Sequence, residues 1–195
     1  MANFRAVSAT SEALAGLIRD RYPRDEFGTG LGVEIYLPRH FDLPMAEGFS
    51  VCLLRVAING GVRNLTYRRD PDGRRFRPSL PLDLLYLITP WAKEGGTQHR
   101  MLGWVMRMFE DLGTLSSSHL NHYVAEPDIF APHESLDLIC DPLALNDYLT
   151  LWDRLKFLPP SATYAVRMVM LDSQTSMVEG PPVQTRSFAM GEVVA

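Results

Sequence analysis

Residues 77–115 of the chain read RPSLPLDLLYLITPWAKEGGTQHRMLGWVMRMFEDLGTL. Residues 81–91 are almost continuously apolar, which indicates a strand that is buried on both faces in the middle of a sheet. After two glycines, residues 97–111 place apolar side chains at helical spacing, and Gly113 follows where a helix C-cap is expected. The segment holds neither a nucleophile with a base nor a cluster of metal ligands. It is therefore typical of a scaffold, and it favours a protein that assembles over one that catalyses a reaction.

Strands and helices follow one another irregularly on both sides of this segment. The first predicted helix has Ser8 or Thr10 as its N-cap, and it ends at Tyr22 because a residue before proline is pushed out of the α region. The other elements predicted from periodicity are strands over residues 31–38, 49–58, 135–140 and 163–171 and a helix over residues 142–157. Without regular βαβ alternation, these elements predict a single α+β domain with a mixed or antiparallel sheet and helices packed mainly on one face.

Length and composition narrow the class of protein. We expect one domain over residues 1–173 and a C-terminal arm over residues 174–195. A hydrophobic content of 46% with 22% charged residues is ordinary for a soluble globular protein. The net charge of −4 argues against free nucleic acid as a partner. The sequence has no apolar leader and no run near the about 20 apolar residues of a membrane span, which predicts a soluble chain without an export signal.

Several patterns that resemble chemical sites have simpler explanations. The glycines at 28, 30 and 32 precede a strand, whereas a dinucleotide-binding loop follows one, so a flexible loop is favoured. Cys52 and Cys140 lie in apolar surroundings and are expected to be buried, reduced thiols. The residue types that could bind zinc are His119, His122, Glu126, Asp128, His133 and Glu134. Their spacing does not match a known zinc motif, so solvated loop histidines are favoured and no metal is predicted.

Charged residues near the sheet suggest contacts with other molecules. Residues 68–77 surround an Asp-Pro-Asp-Gly turn with arginines, which predicts a solvated hairpin tip or a docking surface for acidic protein. Arg55 lies within an apolar strand, and Asp83 occupies a similar position in the next major strand. The two are plausible partners across the sheet, with a structural or interface role.

Five blocks of the sequence resemble the cap, or tail-terminator, family of extracellular contractile injection systems, which includes the antifeeding prophage and Photorhabdus virulence cassette particles. The strongest are PSLPLDLLYLIT at residues 78–89 and HRMLGWVMR at residues 99–107. The likeness extends over about residues 5–173, and it departs from the family at residues 156–160 and after Ser173. The other blocks are residues 7–14, residues 49–64, and residues 145–155 with residues 161–173.

The resemblance implies a phage tail-terminator-like fold and a structural role without catalysis or cofactor. The expected assembly is a homohexameric ring that closes the distal end of the inner tube, contacts the last sheath layer and ends polymerisation. Its expected location is the bacterial cytoplasm, as part of an assembled particle, and it would be released together with that particle. Neither nucleic-acid binding nor membrane insertion is expected. The residues proposed for assembly contacts are Arg55, Arg63, Asn64, Asp83, Arg100, Val183, Phe188 and Val193.

Alternatives stay open at this point. Residues 183–194 are strand-prone and carry few charges, so they either add to the sheet of a neighbouring subunit or form a disordered terminus. A soluble adaptor that recruits cargo or an anchor is the second functional hypothesis. A metal-dependent enzyme built around the histidine-rich loop is a less favoured third.

Overall fold

A computed structural model describes residues 2–62, 65–70, 72–126, 128–155 and 158–177 of the chain. The helices in this part of the chain are α1 (Ala6–Arg21), α2 (Arg24–Phe27), α3 (Gly95–Leu112), α4 (Ser117–His122) and α5 (Leu145–Arg154), with a 3-10 turn at Pro38–Phe41. The strands are β1 (Gly32–Tyr36), β2 (Gly48–Ile58), β3 (Arg68–Arg69), β4 (Arg75–Phe76), β5 (Leu80–Trp91), β6 (Thr114–Ser116), β7 (Ser135–Cys140) and β8 (Ala162–Leu171). None of the described helices has both the length and the apolar character of a membrane span.

A six-stranded mixed sheet in the order β1-β2-β5-β8-β7-β6 organises the fold. β1 runs parallel to β2, and the other neighbouring pairs of this sheet are antiparallel. β5 lies between β2 and β8, with Tyr86 and Leu87 fully buried on its two faces. The continuous apolar run therefore forms a central strand, as its composition predicts.

The two faces of the sheet are covered unequally. On one face, side chains of α1, α3 and α4 join the large core, as Leu14, Phe109 and Leu120 show. On the other face, a smaller cluster around Trp91 includes Phe41 of the 3-10 turn and receives partly buried side chains from the end of α5. The predicted α+β fold with helices mainly on one face is confirmed.

Several helix ends differ from those predicted by the sequence. The N-cap of α1 is Arg5, and the hydroxyls of Ser8 and Thr10 lie inside the helix, where they donate to the carbonyls of Arg5 and Ala6. The prediction that Ser8 or Thr10 caps α1 is therefore wrong, because a helical hydroxyl can bond its own preceding turn instead. α5 ends with Arg154, earlier than predicted. Residues 117–122, which gave no clear pattern, form the short helix α4.

Gly113 and Gly48 are two of the described glycines whose conformations other residues rarely adopt. Gly113 ends α3 with a φ of +59° and donates to the carbonyl of Phe109, which confirms the predicted C-cap. Gly48 has a φ of +148°, and a Cβ at this position would lie 2.1 Å from the carbonyl oxygen of Gly32. The close parallel pairing of β1 and β2 at this point therefore requires glycine.

Candidate assembly surfaces

The outer side of β2 is only half covered. β1 pairs with residues 48–52 of β2, from Gly32 opposite Gly48 to Tyr36 opposite Cys52. Leu53 and residues 55–58 remain paired with β5 on the inner side, with a bulge at Leu54, while no segment of the described chain pairs with the outer side of residues 53–58. We call this outer side of residues 53–58 the open edge. Its backbone N–H and C=O groups are available to another strand.

Apolar side chains accompany the open edge. Val56 and Ile58 are 47% and 66% exposed, although their partners across the sheet, Leu84 and Leu82, are buried in the large core. Natural edge strands usually carry charged residues or proline that prevent pairing. On the open edge the charged residue is Arg55, and its side chain lies on the opposite face of the sheet from Val56.

A groove begins where β1 stops and the open edge starts. It has a volume of about 460 Å³ and lies between the first turns of α1, the end of β1 and the middle of β2. The apolar residues that line it include Phe4, Val7, Ile35, Leu37 and Leu53. Phe4 is 73% exposed, so a large apolar ring stands at the rim of the groove without being covered by the described chain.

The suggested ion pair between Arg55 and Asp83 is not formed. The Asp83 carboxylate accepts two hydrogen bonds from the Asn59 side chain, both 3.0 Å long, and one of 3.2 Å from the backbone N–H of Met168. Arg55 is exposed and makes no ion pair with Asp83. The prediction of this pair is wrong because register places Asp83 opposite Ala57, near the end of β2, where the Asn59 side chain reaches it.

Asp83 instead stabilises an irregular point of the sheet. The pairing of β5 with β8 shifts register between Leu82 and Leu84, and Met168 in β8 has a φ of +63°. A positive φ is strained for the backbone of a residue with a bulky side chain such as methionine. The bond from its N–H to Asp83 therefore compensates for the ladder bond that the bulge interrupts.

The arginine-rich hairpin β3–β4 is more than a solvated tip. The guanidinium carbon of Arg68 lies 4.5 Å from the ring centre of Phe76, and that of Arg75 lies 4.6 Å from the ring centre of Tyr67. Both arginines are half-buried, whereas Arg69 is exposed, as predicted for a tip. Cation–π stacking and the aliphatic parts of the long side chains explain why these arginines are not fully solvated.

Residues 175–177 run beside this hairpin. Ser176 forms an isolated antiparallel β-bridge with Phe76. On either side of it, the N–H of Arg77 donates to the carbonyl of Thr175, and the N–H of Met177 donates to the carbonyl of Arg75. The C-terminal segment therefore continues along β4 on the side opposite β3. The chain leaves the described structure on that side.

α5 presents an apolar stripe to solvent. Leu145, Leu149 and Trp152 are 70%, 44% and 54% exposed, and α5 has no buried residue. Leu155, three residues after Trp152, does not extend the stripe, because it packs against the smaller core. Exposed apolar patches of this kind occur at interaction sites.

The remaining residues proposed for assembly divide into two groups. Arg100 of α3 pairs with Glu26 of α2 at 3.1 Å, and both side chains are more than half exposed. It remains a prediction as a contact residue. Arg63, Asn64, Val183, Phe188 and Val193 lie outside the described residues.

The histidine-rich region is not assembled as a metal site. His119 is near the Ser116 hydroxyl, and its pKa is lowered by burial and by the positive charges of Arg21 and His122. Glu126 pairs with Arg5, and Glu134 accepts the N–H of Ala131. Among the residues that the structure describes, no three potential ligands come together. The region thus functions in local helix capping and packing.

Both cysteines are free thiols. Cys52 is 2% exposed, and burial raises its pKa to about 11. Burial, followed by the charges of Glu110 and Asp141, also raises the pKa of the half-buried Cys140. Since the thiolate is the reactive form, neither side chain has the environment of a nucleophile.

Comparison with known proteins identifies relatives of this fold. A model of the Pvc16 N-terminal domain family matches residues 9–185. Among curated proteins, none matches the sequence. The PVC sheath/tube terminator of an extracellular contractile injection system, in its extended state, is 16% identical with a TM-score of 0.62; the similarity covers 96% of this chain and 64% of that one.

A second solved structure has the same fold. The tube-terminating cap of the anti-feeding prophage is 16% identical with a TM-score of 0.54, and the similarity covers 93% of this chain and 60% of that one. The chain therefore spans less than two thirds of the length of either solved protein.

Proposed function

Because the chain belongs to the Pvc16 N-terminal domain family, we propose that it is a structural cap, or tail terminator, of a contractile injection system. In this proposal, copies of the chain form a homohexameric ring that closes the distal end of the inner tube. The ring contacts the last sheath layer and ends polymerisation. Its partners are further copies of the chain and the tube and sheath subunits, within a particle assembled in the bacterial cytoplasm and later released. The chain contributes contacts and no catalysis.

The observation that carries this proposal is the fold shared with a sheath/tube terminator across nearly the whole chain. The match of the family model, which extends over most of the sequence, supports it independently. The described surface is also consistent with a ring subunit. A closed ring needs two different surfaces on each copy that fit each other head to tail, and no described part of the chain covers the open edge or the apolar stripe of α5.

The first prediction concerns particle ends. Tubes and sheaths assembled without this chain should vary widely in length, and adding the purified, gold-labelled chain should place label at one end of each particle in electron micrographs. Native mass spectrometry of the released cap should give the mass of a hexamer. Label along the particle or on its cargo would favour the adaptor hypothesis, and particles of uniform length without the chain would contradict the cap.

The second prediction concerns the segment after Met177. Residues 175–177 pair with β4, so a chain that ends at Met177 keeps these contacts and should fold with unchanged thermal stability. We expect its affinity for particle ends to fall by about tenfold or more, measured by the fraction of ends labelled across a concentration series. A full-length chain with residues 178–195 in scrambled order is the matched control, and it should bind as weakly as the shortened chain. Equal binding by the shortened and natural chains would exclude a role for this segment.

A further inference from the structure

We propose that the open edge of β2 receives residues 183–194 of a second copy of this chain as an added strand, and that the groove beside α1 receives apolar side chains of that strand. This inference rests on the proposed ring, because it identifies one contact between neighbouring copies. It concerns where the copies join, which the shared fold alone does not indicate.

The receiving strand has the length and geometry that strand addition needs. The open edge covers residues 53–58, with a bulge at Leu54 and regular pairing from Arg55 onward, which lies within the usual range of about 3–10 residues for a strand. An added strand would follow the line of β1 along β2 and would pair with main-chain groups that β1 leaves uncovered. It would also cover Val56 and Ile58, whose exposure is otherwise unfavourable at an edge.

The groove provides a site for side chains at the start of this edge. Leu53 of β2 lines it together with Ile35 near the end of β1 and with Phe4 and Val7 of the α1 region. Because side chains of a strand alternate between faces, every second residue of an added strand would point toward α1. A volume of about 460 Å³ lies within the range of about 300–1,000 Å³ found for ligand pockets, so large apolar side chains fit it.

The proposed donor segment has a suitable sequence. Residues 178–195 read VEGPPVQTRSFAMGEVVA. The two prolines favour an extended spacer ahead of residues 183–194. Within that segment, Phe188 and Met190 are two positions apart and would share one face of a strand, whereas Ala189 would lie on the other. The large apolar pair is therefore assigned to the groove.

The path of the chain favours a donor from another copy. The described chain ends at Met177 on the side of β4 opposite β3, where residues 175–177 extend the antiparallel pairing of β8 with β5. The open edge lies on the far side of β2, beyond β5. The described part of each chain thus ends away from its own receiving edge, before the donor segment begins. One donor and one receiver on different sides of every copy are what a closed head-to-tail ring requires.

Cross-linking between two variants that each carry one accessible cysteine tests this contact. Both variants carry Cys140→Ser, while Cys52 is kept because it is buried. One full-length chain carries Arg55→Cys and the other Ala189→Cys, which places both thiols on the face away from the groove and leaves Phe188 and Met190 intact. A short bis-maleimide should join them into a covalent dimer of twice the 22.0-kDa chain. The joined peptides are then identified by mass spectrometry.

Matched variants distinguish specific pairing from chance collision. Replacing Arg55→Cys by Asn146→Cys, on the exposed polar face of α5, should lower the yield of dimer by about tenfold. Adding Val56→Lys and Ile58→Lys to the receiving chain should lower it similarly, whereas Leu43→Lys with Ile139→Lys adds the same charge at exposed apolar positions outside the open edge and the stripe of α5, and should not. Thermal melting confirms that each variant is folded. Because all four side chains are exposed, we expect the fold to tolerate them.

Each result decides between occupants of the edge. Equal yields from the Arg55 and Asn146 variants would overturn the proposal. Cross-linking within a chain that carries both cysteines, without any between chains, would assign the edge to the chain's own tail and overturn the proposal equally. A hexamer without this cross-link would mean that other contacts build the ring, and a chain that neither associates nor cross-links would also contradict it. Cross-linked copies that fail to bind particle ends would contradict the cap alone.

Discussion

Replacing Asp83 with alanine is expected to lower the free energy of unfolding by about 3 kcal/mol, measured by urea denaturation. The substitution removes three hydrogen bonds, two from the Asn59 side chain and one from the N–H of Met168. Their donors are half-buried, so the side-chain amide of Asn59 and the strained backbone at Met168 would lose a charged partner that water replaces poorly. The expected loss is large for a residue that is not itself fully buried.

Asp83→Asn is the control for this prediction. Its amide oxygen can still accept the N–H of Met168, whereas its NH₂ group cannot accept from Asn59, so a smaller loss of about 1 kcal/mol is expected. A change below about 0.5 kcal/mol for Asp83→Ala would contradict the structural role. In that case Asp83 would return to the residues proposed for contacts between subunits.

Replacing Gly16 with alanine is expected to lower the free energy of unfolding by about 3 kcal/mol, although alanine is the better helix former. A Cβ at Gly16 would lie 2.2 Å from Cδ1 of Tyr123. The ring cannot easily move away, because its hydroxyl donates to Asp20 at 2.8 Å and thereby joins the segment after α4 to α1. Burial, with further contributions from the bond to Asp20 and its charge, raises the pKa of Tyr123 to about 12, so the hydroxyl remains a donor at neutral pH.

The same substitution should have the opposite effect when the ring is absent. In a Tyr123→Ala background, Gly16→Ala should raise the free energy of unfolding by about 1 kcal/mol, since helix propensity is then the main difference. Urea denaturation of the four chains in this double-mutant cycle measures the reversal. Stabilisation by Gly16→Ala in both backgrounds would show that Tyr123 does not pack on Gly16.

Much of the fold was predictable because its signals are local. The continuous apolar run of β5 indicated burial on both faces, and Leu84, Tyr86 and Leu87 are fully buried. The periodic spacing in α3 and the glycine after it predicted a helix and its end. The blocks of likeness to the cap family are also local, and the match of the family model confirms the family they indicated.

Predictions that depended on which partner a polar group finds were less reliable. Ser8 and Thr10 have the composition of N-caps, yet the helix starts earlier and their hydroxyls bond within it. Asp83 has the position of a cross-strand ion-pair partner, yet Asn59 and Met168 occupy its carboxylate. In both cases several partners were chemically acceptable. The start of α1 decides the partners of Ser8 and Thr10, and the register of distant strands decides those of Asp83.

The sequence by itself determined the class of fold, the central strand, the main helices and the family, because periodicity and composition act over neighbouring residues. Only the tertiary structure decided which surfaces remain uncovered. Apolar residues occur along the whole of β2, so the sequence did not distinguish its two halves. β1 has 5 residues and β2 has 11, and the register pairs β1 with the first half of β2 alone. The edge left open beside α1 is therefore a property of two strands and their register, which neither strand encodes alone.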